Sequence, residues 1–298
     1  MKTRLSRFLK LLLWIFCVAF PIAVIGLAFN VHPPFSMSWA GSVLLILEGL
    51  MVTVALMDEY GPRGLFAALV IAFFSYGVEA LGVNTGFPFG SYRYTGILSP
   101  VLPGGVPLPV VFAWLTIIIA VRRLTVRPPL LVGRRRLIST VVAALLATLL
   151  DLVLEPVAFH LEHYWTWLAP GNSAYYGVPL ANFLAWFVVS LALLSFVNRI
   201  LLRAISFQDL TSFSSQLPLN VPILLYFANV LMFGLIDLTH GYYLAAAIAA
   251  LAGILPIILT PLPTDAGPLI VTAYGVEQDQ TFKPNRKRVK KTKRKKKR

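Results

Sequence analysis

Charge is scarce in this chain everywhere but at its end. Asp, Glu, Lys and Arg make up 13% of 298 residues, and twelve of the 26 basic residues fall between Lys283 and Arg298. A chain that is 58% hydrophobic, with a mean hydropathy of +0.77, cannot cover a soluble globule with so few polar groups. Cysteine is reduced to Cys17, inside the first apolar run, which excludes a disulfide framework and a cysteine-built metal site. Histidine is nearly as rare. His32, His160, His163 and His240 are the whole supply, far short of the repeated histidine boxes of membrane di-iron enzymes. His160 and His163, three apart around Glu162, therefore read as interfacial polar groups. G-x-S-x-G, the P-loop and H-E-x-x-H are all missing, and no Gly-rich fingerprint follows a strand, so nucleotide-binding domains are excluded. Any enzyme here is expected to work without a bound cofactor and without a metal.

What the chain does have is apolar runs close to the 20 residues that cross a bilayer. They predict an all-α, polytopic membrane bundle of about eight helices: Leu11 to Phe29, Ser36 to Met57, Gly64 to Leu81, Val106 to Val121, Leu137 to Val157, Val178 to Val197, Pro218 to Ile236 and Tyr242 to Leu262. Residues 1–262 would form the membrane domain and 263–298 a disordered basic tail. With eight helices and both termini in the cytoplasm, 25 of the 26 basic residues lie inside, and Arg93 alone lies outside. That segregation is what the positive-inside rule demands, and it places the chain in the cell membrane. The tail, RKRVKKTKRKKKR, has no apolar face; it suits anionic lipid head groups better than nucleic acid.

One stretch occurs twice. Shifting the chain by 72 residues lays Asp151 on Glu79, Tyr164 on Tyr92, and GVPLANFLAW (Gly177 to Trp186) on GVPLPVVFAW (Gly105 to Trp114) without a gap. Six of those ten positions are identical, and the carboxylate-to-Trp spacing is 35 in both copies, as a duplicated helical hairpin would give. On this topology Glu79, Asp151, Glu155 and Asp237 all sit near the outer ends of helices 3, 5 and 7. An acid in a membrane segment is costly unless it faces protein or water, which makes each a candidate for function. Asp151 and Glu155 are four apart on one helix face, so ionising one opposes ionising the other. A carboxyl kept protonated at neutral pH is what acid catalysis in an apolar pocket needs. Glu48, near the middle of helix 2, reads as standing outside this cluster. The connectors NTGFPFGSYRYTG and FHLEHYWTWLAPGNSAYYG are too apolar for water and too polar for lipid, so they are expected to cap a cavity.

The motifs E-x-x-G-x-x-T-G-F-P-F-G-x-Y-x-Y (Glu79 to Tyr94), GVPLPVVFAW, DLVLEP (Asp151 to Pro156) and GVPLANFLAW resemble the carotenoid-biosynthesis membrane proteins of the CruF type. The likeness runs from about residue 75 to 262. It implies a cofactor-free hydratase that adds water to the terminal C1–C2 double bond of an acyclic carotenoid end group. Its partners would be a carotenoid or other polyisoprenoid lipid and further enzymes of that pathway. Hydrating a trisubstituted alkene needs a proton donor, a pocket that tolerates a tertiary cation, and a water. Asp151 or Glu79 is the expected acid and Glu155 its partner. Tyr92, Arg93, Tyr94, Trp114, His160, Tyr164, Asn182, Trp186 and Asp237 are the expected substrate-binding residues. The competing reading is a pigment or polyisoprenoid carrier without catalysis.

Overall fold

A computed structural model describes residues 2–31, 34–125, 133–168, 175–202 and 220–259. Among them are eight α-helices: α1 (Lys2–Ala28), α2 (Ala40–Tyr60), α3 (Pro62–Thr85), α4 (Leu108–Thr125), α5 (Gly133–Pro156), α6 (Leu180–Leu202), α7 (Val221–Thr239) and α8 (Tyr243–Leu259). Seven are long and apolar enough to cross a membrane, and α8, with 17 residues, is the shorter one. The all-α polytopic bundle read from the sequence is thus the observed architecture. His32 and the basic tail lie outside the described residues.

Local chemistry sets the ends of these helices. α2 and α3 join at Gly61, and Pro62 opens α3 where its missing N–H costs nothing. α3 closes on Gly86, whose φ of 77° is the left-handed conformation that side chains resist, with its N–H returned to Gly82 O. At Gly49 a Cβ would collide with the ring of Phe112, so glycine is what lets α2 approach α4. Two helix prolines leave a carbonyl one turn back without a donor, and a tyrosine hydroxyl answers each. Tyr175 OH donates to Leu152 O at 2.6 Å, four residues before Pro156, and Tyr226 OH donates to Ala252 O at 3.0 Å, four before Pro256. After Pro156 the helix widens into a π turn, Val157–Leu161.

The duplication is visible in the packing. α3 packs on α6 and α4 on α5, which are images of each other under the 72-residue shift. β1 (Tyr92–Tyr94) and β2 (Trp165–Trp167), one from each connector, pair antiparallel with Tyr92 opposite Trp167 and Arg93 opposite Thr166. The shifted image of the first pair is Thr95 opposite Tyr164, and Thr95 N–H does donate to Tyr164 O at 3.1 Å.

At the far end of the bundle one expectation is corrected. Arg122, one residue past the Val121 expected to end the fourth helix, occupies the last turn of α4 and is buried. Its Nε donates to Asn198 Oδ1 at 2.9 Å and its guanidinium stands over the Tyr60 ring, 5.7 Å from the centroid. These partners make burial of the charge tolerable. Beside it the exposed pair Arg123 and Glu59 meets at 2.8 Å.

Candidate functional site

The two-stranded ribbon covers one end of a cavity of about 1260 Å³ that runs down inside the bundle. That is larger than the pockets that hold most small ligands. Trp14, Val18 and Ile22 of α1 line it and remain largely exposed, so the cavity is open along α1. Its lining on α1 extends from Trp14 to Leu27, about 20 Å at the helical rise. Most of the wall is apolar.

Strand alternation decides which connector side chains reach this space. Tyr92 and Tyr94 point inward, and Trp165 and Trp167 do so from the facing strand; all four line the cavity. Arg93 between the tyrosines points the other way and is exposed. It does not face the carboxylates or the cavity, where a substrate-binding residue was expected.

Among the described residues five carboxyls line the cavity, Glu48, Glu79, Asp151, Glu155 and Glu162, and three of them, Glu79, Asp151 and Glu155, are held by residues of this aromatic cap and its neighbouring helices. Glu79 accepts three bonds, from Trp114 Nε1 at 2.7 Å on one oxygen and from Tyr92 OH (2.6 Å) and Tyr94 OH (2.8 Å) on the other. With every neighbour a donor, Glu79 is used as an acceptor throughout. Glu155 is similar: Trp165 Nε1 (3.2 Å) and Trp167 Nε1 (3.4 Å) meet Oε2, and Asn182 Nδ2 meets Oε1 at 3.0 Å. Asp151 differs. Asn182 Nδ2 donates to its Oδ2 at 2.9 Å, while Oδ1 is buried with no partner among the described residues. Burial and the nearby Glu79 carboxylate push the phenol ionisations of Tyr92 and Tyr94 upward, so both remain donors. Beside the acids the indoles of Trp114 and Trp186, both on the cavity wall, stack in parallel, 3.8 Å apart.

Of the expected substrate-binding residues, Tyr92, Tyr94, Trp114, Tyr164, Asn182 and Trp186 are on the cavity wall, and Arg93, His160 and Asp237 are not. His160 lies 2.8 Å by its Nε2 from Tyr176 O and faces the Tyr242 ring. Asp237 is fully buried away from the cavity, with neither carboxyl oxygen hydrogen-bonded among the described residues. Glu48 moves in the opposite direction: it lines the same cavity and accepts from Asn229 Nδ2 at 2.9 Å. Its helix runs antiparallel to α3, so counting residues from helix ends concealed that both reach one space. Trp165 and Trp167 were also missed, although the alternation W-T-W carried the signal. Among the described residues no group of three or more His, Cys, Asp or Glu is arranged to hold a metal ion.

Fold and site together define a multi-pass helical membrane protein with an acid-lined apolar cavity under an aromatic cap. The chain belongs to the family of carotenoid biosynthesis proteins, whose model matches residues 40–256, from α2 into α8 with both connectors. Over 127 residues, 42% of the chain, it is 35% identical to the bisanhydrobacterioruberin hydratase of Haloarcula japonica. The match spans 41% of that relative's length. No solved structure matches the chain.

Proposed function

We propose that this protein adds water to the terminal C1–C2 double bond of an acyclic carotenoid end group. Asp151 is the proton donor in this reading. The observation that carries it is Oδ1 of Asp151, buried without a partner among the described residues and set on an apolar cavity wall beside two carboxyls that each accept three hydrogen bonds. A proton on that oxygen relieves the repulsion between Asp151 and Glu155 and has no other acceptor to satisfy. Transfer to the less substituted alkene carbon leaves a tertiary cation. The Glu79 and Glu155 carboxylates and the stacked indoles of Trp114 and Trp186 offset its charge. Water then adds to the cation, and a carboxylate, with Glu155 the candidate, takes the released proton. The hydrophobic end group enters sideways from the lipid along α1, so the substrate never crosses water.

The chain would sit in the cell membrane with both termini in the cytoplasm, and the tail would touch anionic lipid. Expression in a lycopene-producing bacterium tests the reaction. The pigment should gain the mass of one water and become more polar. Unaltered pigment that co-purifies with the protein would instead make it a carrier.

A further inference from the structure

Three polar side chains on the cavity wall have no part in that chemistry. Glu48 of α2, Thr116 of α4 and Asn229 of α7 line the cavity and are 2%, 3% and 7% exposed. The two amide hydrogens of Asn229 are spent on Glu48 Oε2 and Leu225 O, both at 2.9 Å, which leaves only its amide oxygen for a further partner. Glu48 Oε1 is buried with no partner among the described residues. Thr116 is unusual among the helix threonines. Thr53, Thr85, Thr125, Thr140, Thr148 and Thr239 each donate to the carbonyl four residues back. Thr116 makes no such bond, and its hydroxyl is buried without a partner among the described residues.

An oxygen buried without a hydrogen bond is costly, and an apolar wall cannot answer it. Glu48 Oε1 calls for an O–H donor, the Asn229 oxygen can take a second, and the Thr116 hydroxyl can give or accept a third bond. Water fits this set; a tertiary alcohol has one donor only. We propose that Glu48, Asn229 and Thr116 form a water-holding subsite, separate from the Asp151 and Glu155 pair, that supplies the water added to the polyene. Its supply role rests on the hydration reading; its water binding does not. In the step it serves, the water oxygen forms the new C–O bond and one of its O–H bonds breaks. That proton passes to a carboxylate of the site, while the proton given up by Asp151 has gone to the adjacent carbon, so the sum is alkene plus water.

The test uses the full chain in lipid nanodiscs. A high-resolution map should place a water within hydrogen-bond reach of Glu48 Oε1 and of Thr116 Oγ1. Glu48→Leu should remove it, Thr116→Val should weaken it, and Glu48→Gln, whose amide keeps a hydrogen-bonding group at that position, should retain it. Because the Thr116 hydroxyl has no protein partner among the described residues, Thr116→Val should not lower the unfolding midpoint. For hydration, kcat should fall about tenfold or more in Glu48→Leu and Thr116→Val with the KM for polyene unchanged, and Glu48→Gln should recover part of the rate. A map with no water at either group overturns the subsite. Water that disappears in the variants while kcat stays at the wild-type value overturns its supply role. Wild-type protein that binds polyene without adding water to it overturns the hydration reading and the supply role together; the map decides the subsite independently. If Glu48→Leu does not accumulate, Thr116→Val carries the same decision.

Discussion

Trp114 and Trp186 stack 3.8 Å apart with their planes 7° from parallel, and the two residues are the same position of the duplicated segment, 72 residues apart. A residue meets its own image only beside a twofold axis. The axis relates the hairpin α3 and α4 to the hairpin α5 and α6, and the β1 and β2 ribbon closes it above. The copies have nonetheless diverged around the acids. Glu79 and Asp151 are equivalent, but Glu155 and Asn182 have Val83 and Val110 as counterparts, so the second copy alone carries a linked polar pair. A symmetric frame thus presents one saturated carboxylate and one acid with a free oxygen.

Asp151→Asn keeps the shape and removes the proton. The protein should accumulate and bind pigment, and hydration should fall by ~10²- to 10⁴-fold, the usual weight of acid catalysis. Glu155→Gln should also slow the reaction, and the double variant should lose less than the product of the two single losses, because both act on one step. Product analysis by mass, alongside pigment retained on purification, checks this. Full activity in Asp151→Asn would remove it from the site.

Tyr92→Phe and Tyr94→Phe each take one donor from Glu79 and leave a buried acceptor poorer by one bond. Each should cost about 1–3 kcal/mol of stability and slow hydration. Thermal unfolding in detergent measures the first effect and turnover the second. An unchanged midpoint in both would show that Glu79 does not depend on them.

The same phenols set an alkaline limit. Their ionisation is pushed up in the fold by burial and then by the Glu79 carboxylate. The stability they contribute is full below the ordinary tyrosine value of about 10 and is lost as pH climbs above it toward the raised folded value. The unfolding midpoint should therefore be insensitive to these groups up to about pH 10 and fall beyond it. In the Tyr92→Phe and Tyr94→Phe double variant that alkaline fall should be shallower.

The pairing of Tyr226 with Ala252 O exists because Pro256 cannot supply an N–H. Tyr226→Phe should cost about 1 kcal/mol in the wild type. In a Pro256→Ala background the new N–H can reach the same carbonyl, so the cost should shrink. A double-mutant cycle on unfolding free energies reads the coupling, and additive costs would refute it.

The distribution of basic residues predicts an orientation that reporter fusions can check. Fusions after Arg136 and after Arg203 should report cytoplasm, and one near Asn172 should report the exterior. An external signal at Arg136 would overturn the arrangement with both termini inside.

The sequence by itself determined the all-α membrane bundle, the approximate helix limits, the duplication and the three carboxyls, because each depends on local composition or spacing. A run of apolar residues must become a helix in lipid, and a repeated motif keeps its offset whatever it packs against. Only the tertiary structure decided which of those groups meet. Glu48 joined the cavity because α2 runs antiparallel to α3 beside it, Arg93 left it because strand alternation turns every second side chain away, and Arg122 was buried because Tyr60 and Asn198 lie opposite it on other helices. Asp151 differs from Glu79 and Glu155 for the same reason. How many donors surround a carboxyl is settled by residues up to 35 positions away in the chain, and that number is fixed only when the helices pack.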